Sequence, residues 1–115
     1  MIFAAGLGTR LKPLTDTMPK AMVPVGGIPL IHRTLQRLIV AGATEIVINV
    51  HHFANQIVDY VSQLHYDGVR ISISDESEEL FDTGGGLLHA APLFSADNSP
   101  VLIHNVDILS NADLR

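Results

Sequence analysis

The sequence predicts an α/β fold with one open parallel sheet and helices on both of its faces. Two observations lead to this prediction. Strand-like apolar runs alternate with segments of helical periodicity, and polar or glycine-rich residues follow the strand-like runs. The length of 115 residues suits a single core, because such a chain buries roughly 65% of the surface that its unfolded form exposes. We therefore expect one domain over residues 1–115.

Four segments have the pattern of strands. Residues 2–5 form a short apolar run that ends at Gly6, and residues 45–50 are mostly β-branched and apolar, as in a strand buried on both faces. Residues 69–74 alternate between apolar and polar types, which is typical of a strand with one wetter face near a sheet edge. Residues 101–104 form the last short apolar run.

Three segments between these strands have helical features. Residues 29–41 begin at a proline, and Gly42 follows at the position of a C-cap. Residues 53–64 carry apolar side chains at i, i+4, i+8 and i+11, and residues 87–91 form a shorter helical piece before Pro92. The predicted order is βαβαβαβ, and right-handed crossovers between parallel strands then give a Rossmann-like sheet.

Composition excludes several classes of function. The absence of cysteine excludes a disulfide scaffold, a thiolate nucleophile and a cysteine-ligated zinc site. Seven Lys and Arg residues against twelve Asp and Glu residues, without a basic run, argue against a nucleic acid partner. No apolar run approaches the roughly 20 residues of a membrane span, and no signal peptide is recognisable at the N-terminus. We expect a cytoplasmic protein with no membrane partner.

The first strand leads into a loop that is rich in glycine and in cations. Gly6 and Gly8 allow backbone N–H groups to approach an anion closely, because no Cβ blocks them. Arg10, Lys12 and Lys20 follow, although the chain as a whole is acidic. The loop lacks the third glycine of the dinucleotide-binding pattern, and it lacks the Walker A pattern. These features predict a phosphate-binding loop, the alternative being a tight turn that only leaves the strand.

Polar residues also follow the other strands, and parallel pairing brings all these segments to one edge of the sheet. Residues 82–86 place three glycines at the start of a short helix, where their N–H groups can face a base or a ribose. Asp75 and Glu76 are candidates for the base edge, the alternative being a solvated acidic face. His51 and His52 would point to opposite faces of an extended backbone, so we assign them no catalytic role.

Taken together, these motifs resemble the nucleotidyltransferases that make nucleoside-diphosphate sugars. The resemblance is greatest to the sugar-1-phosphate uridylyl- and guanylyltransferases, including enzymes that act on N-acetylmuramate 1-phosphate or mannose 1-phosphate. The bacterial choline-phosphate cytidylyltransferases are similar as well and remain an alternative. The motifs span essentially the whole chain: Gly-Leu-Gly-Thr-Arg-Leu at 6–11, Pro-Lys at 19–20, Pro-Val at 24–25, Asp-Thr-Gly-Gly-Gly at 82–86 and Asn-Val-Asp at 105–107.

The resemblance implies a transfer of a nucleoside monophosphate from a nucleoside triphosphate to a sugar 1-phosphate, with release of pyrophosphate. It implies that Arg10 grips the β- and γ-phosphates, that Lys20 neutralises the α-phosphate and the sugar phosphate, and that Asp107 holds Mg²⁺. As an isolated feature, Asp107 would be a turn residue. The resemblance further implies nucleotide contacts by Ala5, Gly6, Leu7, Gly8, Thr9, Glu76, Thr83, Gly84 and Gly85.

Two departures from the family pattern affect these expectations. Val106 stands where the family more often has glycine. The second metal carboxylate of the family and most of its sugar pocket lie in a second half that has no counterpart here. We therefore expect a truncated, N-terminal half of the domain that is inactive alone and that self-associates through an uncovered sheet edge. The alternative is a non-catalytic module that senses nucleotides.

Overall fold

The computed structural model describes residues 1–115 and contains the predicted parallel sheet. The four strands of this sheet lie in the spatial order β5-β4-β1-β6, and every pairing between them is parallel. The helices and strands, in chain order, are β1 (Ile2–Phe3), β2 (Pro24–Val25), β3 (Ile28–Pro29), α1 (Leu30–Val40), β4 (Glu45–Val50), α2 (Ala54–Ser62), β5 (Arg70–Asp75), α3 (Thr83–Ala90) and β6 (His104–Asn105).

Helices cover both faces of the sheet, which confirms the predicted fold class. Side chains alternate along a strand, so neighbouring residues of β4 face opposite ways. Ile46 and Ile48 belong to the main core with residues of α1 and α2. Val47 belongs to a smaller core with Ala90 of α3 and with Met1. Because both faces are covered, β4 is buried along almost its whole length, as its apolar sequence predicts.

The structure contains a short hairpin that the sequence reading did not predict. Strands β2 and β3 pair antiparallel around Gly26 and Gly27, which have φ angles of 59° and 76°. Positive φ at both central residues is the requirement of a tight hairpin turn, and a Gly-Gly pair meets it without strain. Strands of two residues, each with a proline, carry no alternation, so the glycine pair was the only signal.

Two predicted boundaries were wrong. Residues 101–103 are exposed and do not form a strand, because β1 pairs only through Ile2 and Phe3, and their partners are His104 and Asn105. Helix α3 begins at Thr83 and not near Leu87, so the glycines lie within the helix. The structure contains no helix with both the length and the apolar character required to cross a bilayer.

Candidate functional site

The carboxyl ends of the parallel strands bring the predicted phosphate loop and Asp107 together. Lys20 Nζ lies 3.1 Å from Asp107 Oδ2, although the two residues are 87 positions apart in the chain. A Cβ placed on Gly6 would lie 3.9 Å from the same Lys20 ammonium. The loop after β1 and the residues after β6 therefore form one surface, with Lys20 between them.

The conformation of the glycine loop depends on Gly8. This residue has a φ of 66°, and Thr15 Oγ1 donates a hydrogen bond of 2.6 Å to its carbonyl oxygen. A Cβ on Gly8 would lie 2.8 Å from Thr15 Cγ2, closer than real Cβ contacts allow. Glycine is therefore required at this position for two reasons, the positive φ angle and the close approach of buried Thr15.

The backbone N–H groups of residues 6–10 donate no hydrogen bond to the protein itself. On one side, the N–H groups of Ala4 and Ala5 donate to the side chain of Asn49. On the other side, Leu11 N–H donates to Gly8 O at 3.0 Å. The intervening amides are free to meet an anion, as in the concave backbone arrangements that bind phosphate groups.

The cationic side chains around this loop differ in whether they form an ion pair within the protein. Arg10 is exposed and forms no ion pair or hydrogen bond in the structure, so its guanidinium is available to a ligand. Lys20 is held by Asp107, and its side chain is only 23% exposed. Lys12 pairs with Asp16 at 3.6 Å on the open surface, where such pairs contribute little to stability.

The second glycine cluster, on α3, is exposed at Thr83 and Gly84 and half-buried at Gly85. Glu76 lies beneath it and is 1% exposed. Glu76 Oε1 accepts a hydrogen bond of 3.0 Å from Asn49 Nδ2, and Oε2 accepts from Phe81 N–H at 3.4 Å. The solvated interpretation of the acidic residues is therefore wrong for Glu76.

Comparisons with known proteins identify the family. The sequence matches the nucleotidyl transferase family over residues 1–115. The N-acetylmuramate alpha-1-phosphate uridylyltransferase of Caulobacter vibrioides is 43% identical over 109 residues, which are 93% of this chain and 44% of that protein. The chain belongs to the nucleotidyl transferase family. The resemblance drawn from the motifs is thereby confirmed at the level of the family.

Two further relatives define how much of a nucleotidyl transferase is present. The mannose-1-phosphate guanyltransferase of Pichia angusta is 36% identical over 116 residues, which cover 100% of this chain and 32% of that protein. HddC from Yersinia pseudotuberculosis superposes with a TM-score of 0.78 at 29% identity, over 92% of this chain and 46% of that one. The chain thus spans less than half the length of each of these relatives.

Several residues that organise this candidate site were not found from the sequence. Thr15 donates a hydrogen bond to Gly8 O, and Asn49 accepts hydrogen bonds from the amides before the loop. His52 Nε2 lies 3.2 Å from Thr15 O. His51 Nδ1 is hydrogen-bonded to the carbonyl oxygen of Glu76. Both histidines therefore contact the backbone of neighbouring loops. The motif that contains them, Asn-Val-His-His at 49–52, was the signal available.

Asp75, the last residue of β5, and Val106, which follows β6, both make contacts within the protein at this edge. The hydroxyl and the N–H of Ser77 both donate to Asp75 Oδ1, and these hydrogen bonds hold the pKa of Asp75 below its ordinary value. Val106 is fully buried in the main core, and its carbonyl oxygen accepts from Thr34 Oγ1 at 3.2 Å. The valine thus stabilises the strand end from which Asp107 projects.

A cavity lies at the opposite edge of the sheet. It has a volume of about 370 Å³ and is lined by residues 41–46, by seven residues between Phe94 and Leu102 and by others, more than half of them apolar. None of the predicted site residues lines it. The candidate nucleotide site is an open surface by comparison, formed by loops at a single sheet edge.

Proposed function

We propose that this chain forms the nucleotide-binding part of a sugar-1-phosphate nucleotidyltransferase. In this reaction an oxygen of the sugar phosphate attacks the α-phosphorus of a nucleoside triphosphate, the bond to the β-phosphate breaks, and pyrophosphate leaves. The observation that carries the proposal is the run of unpaired amides at residues 6–10, with Arg10 and Lys20 beside it. The family of the chain and the names of its relatives support the same reaction.

In the proposed complex, the loop binds the triphosphate. The amides of residues 6–10 donate to phosphate oxygens, and the free guanidinium of Arg10 pairs with the β- and γ-phosphates in a charge-assisted contact. Lys20 neutralises the α-phosphate and the incoming sugar phosphate. Thr83, Gly84 and Gly85 face the base and ribose, and a direct contact of Glu76 with the base stays a prediction.

We propose Asp107 as the residue that holds Mg²⁺. The carboxylate fits this ion, because it is partly exposed, and only its Oδ2 is paired, with Lys20. The structure contains no cluster of three acidic or histidine ligands, and Mg²⁺ is commonly bound by one or two carboxylates together with substrate phosphates and water. Bound there, the ion would neutralise charge on the phosphate oxygens.

The proposed catalysis depends on position and charge. The attacking phosphate oxygen is already anionic, so the chain needs no general base. The loop amides, Arg10 and Lys20 reduce the repulsion between two anionic reactants and hold them in line. Gly8 and Lys20 are held in place before the ligand arrives, because Thr15 hydrogen-bonds to Gly8 and Asp107 pairs with Lys20.

The proposed substrates are a nucleoside triphosphate and a sugar 1-phosphate, and the names of the relatives favour uracil or guanine as the base. Choline phosphate with cytidine triphosphate is the alternative pair. We propose that the protein acts in the cytoplasm, where nucleoside triphosphates are supplied, and that the sheet edge at β6 associates with a second copy when the 115-residue chain is alone.

The test is release of pyrophosphate by the complete reading frame that contains these residues. UTP, GTP, CTP and dTTP are each combined with several sugar 1-phosphates and with choline phosphate, with and without Mg²⁺. The proposal predicts release with at least one sugar phosphate pair. Release with no pair would reject it, and release with choline phosphate alone would select the cytidylyltransferase reaction.

The alternative function is nucleotide binding without transfer, as in a sensor. The free amides of residues 6–10 and the free guanidinium of Arg10 support nucleotide binding under either function. Calorimetric titration of the 115-residue chain with each Mg²⁺-nucleotide separates the two functions. Binding by this chain, combined with no turnover by the complete reading frame, would favour the sensor.

A further inference from the structure

We propose that Asn49 is a positioning residue for the glycine loop, and that the buried carboxylate of Glu76 sets the orientation of Asn49. The inference rests on the proposed function, because it concerns the loop to which we assign the triphosphate. The relevant geometry lies below the candidate site, in side chains that need not touch the ligand.

Asn49 holds the backbone at the point where β1 ends and the loop begins. The strand pairing of β1 stops at Phe3. Beyond it, Asn49 Oδ1 accepts hydrogen bonds from Ala4 N–H at 2.7 Å and from Ala5 N–H at 3.3 Å. These are the last paired amides before the free amides of residues 6–10. The side chain of Asn49 therefore accepts the hydrogen bonds of the two residues after β1 and fixes the direction in which the loop leaves the sheet.

Glu76 determines which way the Asn49 amide points. A carboxamide can rotate by half a turn and exchange its oxygen with its nitrogen, which would present donors to the donors of Ala4 and Ala5. Glu76 Oε1 lies 3.0 Å from Asn49 Nδ2 and provides an acceptor there. Because both side chains are buried, no water competes for this bond, and the Asn49 oxygen faces the loop.

Helix α3 in turn holds Glu76. A Cβ on Gly86 would lie 2.8 Å from Glu76 Oε1 and 3.2 Å from Asn49 Nδ2, so the helix backbone packs directly on the pair. Phe81 N–H donates to the other carboxylate oxygen. The pair thus connects the start of α3, proposed to face the base and ribose, with the start of the phosphate loop. We infer that it sets the distance between the two parts of the nucleotide site.

The arrangement permits an exchange of charge between the two side chains. Asn49→Asp keeps an acceptor for Ala4 and Ala5 but places two carboxylates about 3 Å apart, and their repulsion displaces the side chain. Adding Glu76→Gln restores a donor to the pair, and the new amide oxygen still accepts from Phe81 N–H. The double variant therefore repeats every hydrogen bond of the original pair. Asn111→Asp, on the exposed C-terminal segment, is the matched control.

Two readouts test the proposal in the complete reading frame. The first is hydrogen exchange at the amides of Ala4 and Ala5, which reports positioning without any ligand. The second is the Kd for Mg²⁺-UTP and Mg²⁺-GTP, measured below the melting transition of each variant. We expect Asn49→Asp to accelerate exchange at both amides and to weaken nucleotide binding by at least about tenfold. The double variant should return both values to within about threefold of the original, and Asn111→Asp should change neither.

The proposal is overturned if the double variant performs no better than Asn49→Asp in exchange, affinity or yield of folded protein. It is also overturned if Asn49→Asp lowers Tm while the affinity of the folded protein stays unchanged, since Asn49 would then serve stability alone. A reading frame that binds no nucleotide at all would contradict the proposed function. In that case the exchange measurement still decides whether the pair positions the loop.

Discussion

Arg10 is the side chain of this surface whose charge has no partner in the protein, and its removal tests the phosphate assignment most simply. In the complete reading frame, we expect Arg10→Ala to lower kcat/KM. The expected decrease corresponds to a loss of roughly 2 to 4 kcal/mol of transition-state stabilisation, the scale of one preorganised electrostatic contact. Lys12→Ala is the matched control, because Lys12 lies in the same loop but pairs with Asp16. Steady-state assay of pyrophosphate release provides the values, and equal effects of the two substitutions would contradict the assignment.

Gly8 provides a second prediction, which concerns the conformation of the loop. Gly8→Ala places a Cβ 2.8 Å from Thr15 Cγ2 and forces alanine into the left-handed region. We expect a loss of about 2 to 5 kcal/mol in the free energy of unfolding, from roughly 1 to 2 kcal/mol for the backbone and about 1 to 3 kcal/mol for the overlap.

Gly68→Ala separates the two contributions to this loss, because Gly68 has a φ of 73° and open space around it. Urea unfolding of the two variants gives the comparison. A Gly8 variant no less stable than the Gly68 variant would show that Thr15 does not constrain the loop.

At the scale of single residues, candidates for direct contact with a ligand could be selected from the sequence, whereas the residues that hold them in place could not. Gly8, Lys20 and Asp107 could be selected because their types suit phosphate and metal, and because each follows a predicted strand or lies near one. Asn49 and Thr15 could not, because their roles depend on partners far along the chain or on side-chain orientation. The available signal was the position of Asn49, a polar residue inside an apolar strand, which indicates a buried hydrogen-bonding role.

At the scale of elements, the network at the amino end of β4 gives a prediction about pH. Ser95 Oγ donates to Glu45 Oε2, and this bond, with Ser95 N–H and the Arg70 guanidinium, holds the pKa of Glu45 below its ordinary value of 4.5. A lowered pKa means that the ionised form favours folding. The stabilisation is therefore present above about pH 4.5 and is lost as the pH falls through the pKa of the folded state.

The measurement is the urea midpoint of the parent and of Glu45→Gln between pH 7 and about pH 3. We expect the parent to be the more stable at neutral pH and the difference to shrink on acidification. Glu79→Gln, at an exposed site without hydrogen bonds, serves as the control. A difference between parent and Glu45→Gln that stays constant over this range would contradict the prediction.

The long elements could be predicted from hydrophobic periodicity. The bounds of the short strands depend instead on the strands with which they pair. Helices α1 and α2 and strand β4 lie within about two residues of their predicted bounds. The bounds of β6 could not be predicted, because they depend on where its partner β1 begins. The start of α3 was missed because glycine is a poor helix former. Of its three glycines, Gly86 is the one that packs on Glu76, where a Cβ would lie 2.8 Å from Oε1.

At the scale of the whole molecule, the outer edge of β6 leads to a prediction of self-association. Strand β6 pairs with β1 alone, and apolar side chains near it are between 44% and 52% exposed. These side chains are Val101, Leu102, Ile103, Ile108 and Leu109. Because an unpaired edge with apolar neighbours favours pairing with another chain, we expect the isolated 115-residue protein to form dimers or larger species.

Light scattering coupled to size exclusion measures this directly. Ile108→Lys should shift the chain toward monomer, because the charge lies beside the edge. Leu88→Lys, at a site on α3 that is 77% exposed, should not. A monodisperse monomer of the unmodified chain would refute the prediction.

The proposed function depends on a triphosphate bound by the loop that follows β1. The most direct measurement is a titration of the ¹⁵N-labelled 115-residue chain with Mg²⁺-UTP and Mg²⁺-GTP, followed through backbone amide shifts. We expect the largest, saturable shifts at residues 6–10 and smaller ones at residues 83–85. Shifts that leave residues 6–10 unmoved, or that gather around residues 41–46 and 94–102 at the opposite edge, would contradict it.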